Sequence, residues 1–242
     1  MINCTGQFFM INGVHHDRHN TMTFSILARD HDTGAIGGAA ATGSLCVGGW
    51  VLRGSLSAGM SASQGASPST LWGEDVLAAM QGGADAATAV ARVTQADAGR
   101  AWRQLAALDL GGTTGAFTGK KNTPAMGTRA FDGGIAAGNM LAGLDVLGAL
   151  TGAFQSAGGT LGERLLAALR AAQSAGGDSR GLFSAALLVL HPDHAPLTLR
   201  VDHHPDDPVG ALTDLHGRAT TGEYAYWAGK VPVLSDRDRG LD

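Results

Sequence analysis

Chemistry in this chain is best built on Thr23. It follows Met22 and opens the run Thr-Phe-Ser-Ile-Leu-Ala-Arg-Asp that ends at Asp30. A threonine at a mature N-terminus carries a nucleophilic hydroxyl and an amine whose unperturbed pKa lies near about 8. Nucleophile and base then come in one residue, and the reaction this suits is attack on an amide carbonyl. The plain reading of the same residue is a strand threonine behind a tail. Other polar residues stand where elements begin or end. Gln64 lies in Ser61-Ala-Ser-Gln-Gly-Ala-Ser-Pro-Ser-Thr70, just before a helix whose first backbone N–H groups are free to hold an anion. Asn139 stands at a second expected helix start, either as a catalytic amide or as a capping residue. Asp178 and Arg180 occupy the tight turn Gly176-Gly-Asp-Ser-Arg-Gly181, where Arg180 has the geometry to grip a carboxylate and an ordinary turn explains the glycines equally well.

Several chemistries find no support. The chain has no phosphate loop, no dinucleotide-binding glycine pattern, no His-Glu-x-x-His and no Gly-x-Ser-x-Gly. His203 and His204 flank Asp202 and Asp206, but adjacent strand residues point to opposite faces, so the two imidazoles do not converge on one ion. His15, His16 and His19 lack a second ligand cluster. Cys46 lies in an apolar, glycine-rich run and reads as a small buried hydrophobe. No metal and no cofactor is expected. A net charge of −4 with no run of Lys or Arg gives no footprint for nucleic acid or a membrane surface, so the expected partner is a small-molecule amide or peptide-like substrate. Residues 1–21 lack the charged and apolar regions of a secretory signal and read as a leader or a mis-called start, with residues 22–242 as a single domain. A cytoplasmic location is expected.

The elements that must position these groups emerge from periodicity. Residues 23–42 read as a hairpin around His31-Asp-Thr-Gly34, with Phe24, Ile26 and Ala28 alternating against Thr23, Ser25 and Leu27. Residues 44–50 and 54–63 read as two more strands, with Val51-Leu-Arg53 as the turn. Helices are expected from Ser67-Pro-Ser69 to Gly82, with Leu71, Val76, Leu77 and Met80 inward, and over 85–95, with Ala87, Val90, Ala91 and Val93 inward. Strands resume at 102–109, 114–118 and 133–138, with helices after them over 144–157 and 161–175. Residues 183–190 form a nearly continuous apolar strand, expected at the sheet centre and paired with 197–203. A last helix covers 209–218. Strands arriving in antiparallel pairs and helices in pairs predict a four-layer αββα sandwich of two antiparallel sheets, an α+β arrangement.

Met22-Thr-Phe-Ser-Ile-Leu-Ala-Arg-Asp30, Val47-Gly48, Gly138-Asn-Met-Leu-Ala-Gly143, Leu165-Leu-Ala-Ala-Leu-Arg-Ala-Ala172, Gly176-Gly-Asp-Ser-Arg-Gly181, Ser184-Ala-Ala-Leu-Leu-Val189 and Leu199-Arg-Val-Asp-His203 together resemble the DUF1028 family. The resemblance spans residues 22–215. It implies a place among the N-terminal nucleophile (Ntn) hydrolases, the αββα fold and a Thr nucleophile at Thr23. The expected activity is that of an amide-bond hydrolase working through an acyl-enzyme, with Thr23 and Asn139 as catalytic residues and backbone N–H groups near Gly48 or Gly65 facing the oxyanion. Arg29, Gly48, Arg53, Gln64, Asp178 and Arg180 form the expected substrate-binding set. Many members carry a Lys where this chain has Gly43, and Arg29 or Arg53 are its expected substitutes. The family begins at the Met-Thr pair, whereas 21 residues precede Met22 here. A non-catalytic binding or assembly protein of the same fold is the competing expectation, and a homo-oligomer is expected in either case.

Overall fold

A computed structural model describes residues 22–176 and 181–241 of the chain. Its centre is the hairpin of β1 (Thr23–Arg29) and β2 (Ile36–Thr42), paired in the register Thr23 to Thr42 through Arg29 to Ile36. The period-2 pattern sorts β1 onto two faces. Phe24, Ile26 and Ala28 pack into a core shared with helices, whereas Leu27 packs into a second core with residues of the other sheet.

The large sheet has six strands in the order β10-β9-β2-β1-β8-β7. Its outer members are β7 (Ala125–Phe131), β8 (Gly134–Leu141), β9 (Ser184–His191) and β10 (His194–Val201). The small sheet, ordered β3-β4-β5-β6, contains β3 (Leu52–Ser55), β4 (Gly59–Gln64), β5 (Gln104–Asp109) and β6 (Thr114–Thr118). Every pairing is antiparallel. Helices α2 (Thr70–Gln81) and α3 (Ala86–Gln95) pack on the small sheet, and α4 (Asp145–Ser156), α5 (Leu161–Ser174) and α6 (Pro208–Ala219) on the large one. The short α1 (Val47–Trp50) and α7 (Gly222–Ala228) complete the fold, which is the four-layer αββα sandwich. Among the described residues no helix is long and apolar enough to cross a membrane.

Local signals explain most boundaries. Ser69 caps α2 by accepting from Trp72 N–H, Asp85 caps α3 by accepting from Thr88 N–H, and Thr160 with Glu163 makes a reciprocal capping box on α5. Elsewhere tertiary structure overrides the local reading. Residues 44–50 are not a strand: Val47–Trp50 coil into α1 because Cys46 N–H reaches Asp202 O at 3.0 Å and Val47 N–H reaches Ser184 Oγ at 3.1 Å. Val51 to Arg53 is no turn, since Leu52 and Arg53 open β3. Asn139 lies inside β8, because Thr23 pairs with it across the sheet, and the helix does not start until Asp145. The strand at 183–190 sits second from the edge, covered by β10, while β1 and β2 take the centre. On α2 the inward residues are Trp72, Gly73, Val76 and Met80, leaving Leu71 64% exposed, and on α3 they are Ala86, Ala89, Val90 and Thr94.

Candidate functional site

Thr23, Thr42 and Asn139 stand in one row across β2, β1 and β8, because each of the outer two is the direct cross-strand partner of Thr23. Thr23 Oγ1 lies 2.9 Å from Thr42 Oγ1, and Thr42 donates its single hydroxyl proton to Met22 O at 2.9 Å. The hydrogen between the two threonines therefore belongs to Thr23, which donates. Thr42 Oγ1 also accepts from Ser44 N–H at 3.3 Å, and Gly43 N–H donates to Met22 O at 3.2 Å. The carbonyl just before Thr23 is thus gripped by one hydroxyl and one amide, in the arrangement of donors that stabilises charge on an acyl oxygen. Met22 itself is buried in the helix-side core.

Thr23 is 8% exposed, and what exposes it is a cavity of about 300 Å³. Thr42 and Ser44 form one wall, Gln64 and Gly65 another, and the half-exposed Trp50 and Leu45 stand at the opening. Among the described residues no charged side chain lines it. Gly65 holds φ at +129°, and a Cβ there would sit 2.6 Å from Trp102 O and 2.8 Å from Asn122 Oδ1, so only glycine fits this wall. Asn122, fully buried, accepts from Ala66 N–H at 2.9 Å and donates to Arg103 O and Gly119 O, which fixes the loop. Among the described residues two non-glycine positions have positive φ, and both flank this region. Cys46, at +60°, sits between the lining residues Leu45 and Val47, and Met140, at +54°, comes directly after Asn139. Strain of this kind collects at functional sites.

Behind Thr23, between the sheets, lies a buried amide network. Ser25 Oγ donates to Gln64 Oε1 at 2.8 Å, and Gln64 Nε2 donates to Gln104 Oε1 at 2.8 Å. Asn139 Nδ2 donates to the same Gln104 oxygen at 3.1 Å, and Gln104 Nε2 lies within bonding distance of Thr118 Oγ1, Gly138 O and Gly127 O. Asn139 Oδ1 is buried with no partner among the described residues. Gln104 and Asn122 carried no signal in the sequence, since an isolated amide in a strand or loop looks like any surface residue until its burial is known.

The expected site residues divide accordingly. Thr23, Gln64 and Gly65 share the cavity. Asn139 is wholly buried, gives one Nδ2 hydrogen to Gln104 and does not line the cavity, although it pairs with Thr23 across the sheet. Gly48 is turned toward β9 and β10, where a Cβ would meet Ala186 and Arg200 within 2.8 Å, and it does not line the cavity. Arg29 closes β1 at the end opposite Thr23, roughly 20 Å along the strand. Arg53 is engaged under α2, donating to Leu52 O and lying 3.7 Å from Glu74. Neither arginine lines the cavity at Thr23. Asp178 and Arg180 lie outside the described residues. Among the described residues no group of three His, Cys, Asp or Glu side chains is placed to hold a metal. His204 Nδ1 instead accepts from Asp206 and Asp207 N–H, and His203 tilts against Phe183.

A family described as "Family of unknown function (DUF1028)" matches residues 23–212, starting at Thr23 itself. The chain belongs to the DUF1028 family. A crystal structure of a DUF1028 protein from Silicibacter pomeroyi is 62% identical, covers 91% of this chain and 96% of its own, and superposes with a TM-score of 0.89. No curated protein matches the chain. This DUF1028 chain therefore shares its sandwich with a solved relative, and the cavity at Thr23 stands at the point where the family's shared sequence begins.

Proposed function

We propose that this DUF1028 protein is an amide-bond hydrolase of the N-terminal nucleophile type, whose working form begins at Thr23. The observation that carries the reading is the Thr23 hydroxyl in the wall of a neutral cavity of about 300 Å³, with the preceding carbonyl held by Thr42 O–H and Gly43 N–H. Cleavage of the bond between Met22 and Thr23 frees the α-amine beside Oγ1 and releases those two donors. An α-amine ordinarily titrates at about 8, so a fraction is already unprotonated near neutral pH, and desolvation in the cavity increases that fraction.

The reaction then balances within one residue and one water. Thr23 Oγ1 attacks the amide carbon as its proton passes to the α-amine, the carbon–nitrogen bond breaks, and the proton leaves on the departing amine. Water adds to the resulting ester and gives a proton to the Thr23 α-amine, the carbon–Oγ1 bond breaks, and Oγ1 takes that proton back as the acid leaves. Thr42 orients the attacking oxygen through their 2.9 Å contact. The apolar mouth at Leu45 and Trp50, in a lining without charge, suits a neutral substrate with an apolar portion next to the amide.

The test is hydrolysis of a panel of small neutral amides by protein whose N-terminus at Thr23 is generated with a site-specific protease, so that maturation does not depend on the residue tested. Thr23→Ala abolishes turnover, a loss of about a thousandfold or more, while Thr23→Ser retains a measurable part. Turnover equal in wild type and Thr23→Ala overturns the proposal.

A second reading, a non-catalytic binding or assembly protein, draws on the burial of Met22 in the core and on Gly43 in place of a family Lys. Protein purified with residue 22 still attached, and stably folded in that form, favours it.

A further inference from the structure

A second cavity, of about 940 Å³, shares no lining residue with the Thr23 site. It opens at the other end of β1, roughly 20 Å along the strand, under the β1–β2 turn and between α5, α6, α7 and the β9–β10 hairpin. Its body is apolar, built from Ala35, Leu161, Val189, Leu197, Ala219 and Ala225. Its size is that of a small-molecule site.

The polar groups around it are nearly all committed. Asp30 accepts from Asp32 and Thr33 N–H at 3.0 Å each and pairs with Arg164 at 3.5 Å. Glu163 is held by Thr160 N–H at 2.7 Å and by its hydroxyl at 2.9 Å. His191 spends Nε2 on Thr33 O at 3.0 Å and Nδ1 on Asp193 N–H at 3.1 Å. His216 differs. It is 6% exposed and lines the cavity, and among the described residues neither ring nitrogen has a hydrogen-bond partner. Gly162 makes room for it, since a Cβ there would sit 2.7 Å from His216 Nε2. The ring nitrogens are not sealed in the core but open on the cavity, where one donor and one acceptor are free to pair with whatever enters it. Burial holds its pKa below the usual histidine value, against the pull of Glu163, which keeps it neutral.

We infer that this cavity is a second ligand site, for a neutral aromatic molecule bearing a hydroxyl that pairs with His216. The carboxylates of Asp30 and Glu163 in the lining disfavour an anion, and the rings of His191 and His194, tilted to each other with 4.8 Å between centroids, offer aromatic contacts to a ligand ring. A hydroxyl donates to a bare ring nitrogen and accepts from a protonated one, so it pairs with whichever His216 nitrogen faces the cavity. Binding here is independent of hydrolysis at Thr23.

The experiment is titration of the full chain, labelled at histidine, with p-cresol and separately with toluene, monitored through the carbon–proton signals of the imidazole rings. The His216 signals, identified by their disappearance in His216→Phe, shift saturably with p-cresol, which binds about tenfold more tightly than toluene. In His216→Phe that advantage disappears, and in Ala219→Trp, which fills the cavity, both ligands fail to bind. The relative affinity of the two ligands for wild type, read from any imidazole signal that shifts saturably, needs no variant to fold. Absence of a saturable shift up to the solubility of p-cresol, equal binding of the two ligands, or a preference that persists in His216→Phe overturns the inference.

Discussion

Replacing Gln104 by methionine tests whether the buried amides hold the two sheets together behind Thr23. Gln104 opens β5 and is wholly buried, and its Oε1 is the shared acceptor of Gln64 Nε2 and Asn139 Nδ2. Methionine keeps the volume, so the cavity cost is small. It leaves the side chain of Asn139, whose Oδ1 already lacks a partner among the described residues, with no hydrogen bond there, and Gln64 Nε2 with only Thr23 O at 3.5 Å. Each orphaned buried donor costs about 1–3 kcal/mol, so the variant loses about 2–6 kcal/mol out of the roughly 5–15 kcal/mol typical of a domain. Urea denaturation reads the loss as a lower midpoint with an unchanged slope, and calorimetry reads a fall in Tm of roughly 5–20 °C for a chain of this length. A loss below about 1 kcal/mol overturns this prediction, because the amides would then be satisfied without Gln104.

Other perturbations have signs fixed by the structure. In Gly115→Ala the new Cβ lands 2.4 Å from the carbonyl oxygen of Ala86, on backbone that cannot rotate away, so the α3 layer is displaced at a cost of about 2 kcal/mol or more in urea denaturation. Thr160→Ala removes the capping box of α5 and lowers stability by about 1 kcal/mol, with hydrogen exchange accelerated in the first turn of that helix. Burial depresses the pKa of His216 in the folded state, so the unfolded chain takes up a proton first as pH falls below about 6.5, and stability present above that pH is lost below it. Glu163 on α5 opposes the shift, and His191, His194 and Asp30 share the cavity. His216→Phe flattens the dependence of Tm on pH between about 7 and 5, while a second fall at lower pH persists as Glu163, held low by Thr160 N–H, is protonated.

The sandwich was legible because its core hairpin, its capped helices and the β9–β10 pair each carry a local pattern strong enough to survive burial. Thr23 was legible as a position, through the hydroxyl behind a methionine at the head of an alternating run. The features that stayed hidden depend on distant partners. β7 is largely exposed along its length and carries little apolar alternation, so Ala125–Phe131 reads as a glycine-rich passage. Gly138-Asn139 looks like a helix start until Thr23 pairs across from it, and α1 coils from a Val-Gly-Gly-Trp run only because Ser184 and Asp202 hold its first amides. Gly48 was expected at the cavity from its place in a shared motif, yet what that glycine permits is the close approach of Arg200 and Ala186. Gln104, Asn122 and His216 share one reason for going unseen: their importance comes from being buried and polar at once, and burial is a property of the fold.

Hydrolysis of the proposed kind rests on one oxygen atom, Thr23 Oγ1. Peptide mapping by mass spectrometry, after the purified protein is treated with an acylating lactone, locates the adduct directly. The expected chains start at Thr23 and carry a single acyl group on that residue's hydroxyl, lost on incubation as the ester is hydrolysed. Chains in which Thr23 remains internal and unmodified while the adduct forms elsewhere, or not at all, contradict the proposed nucleophile.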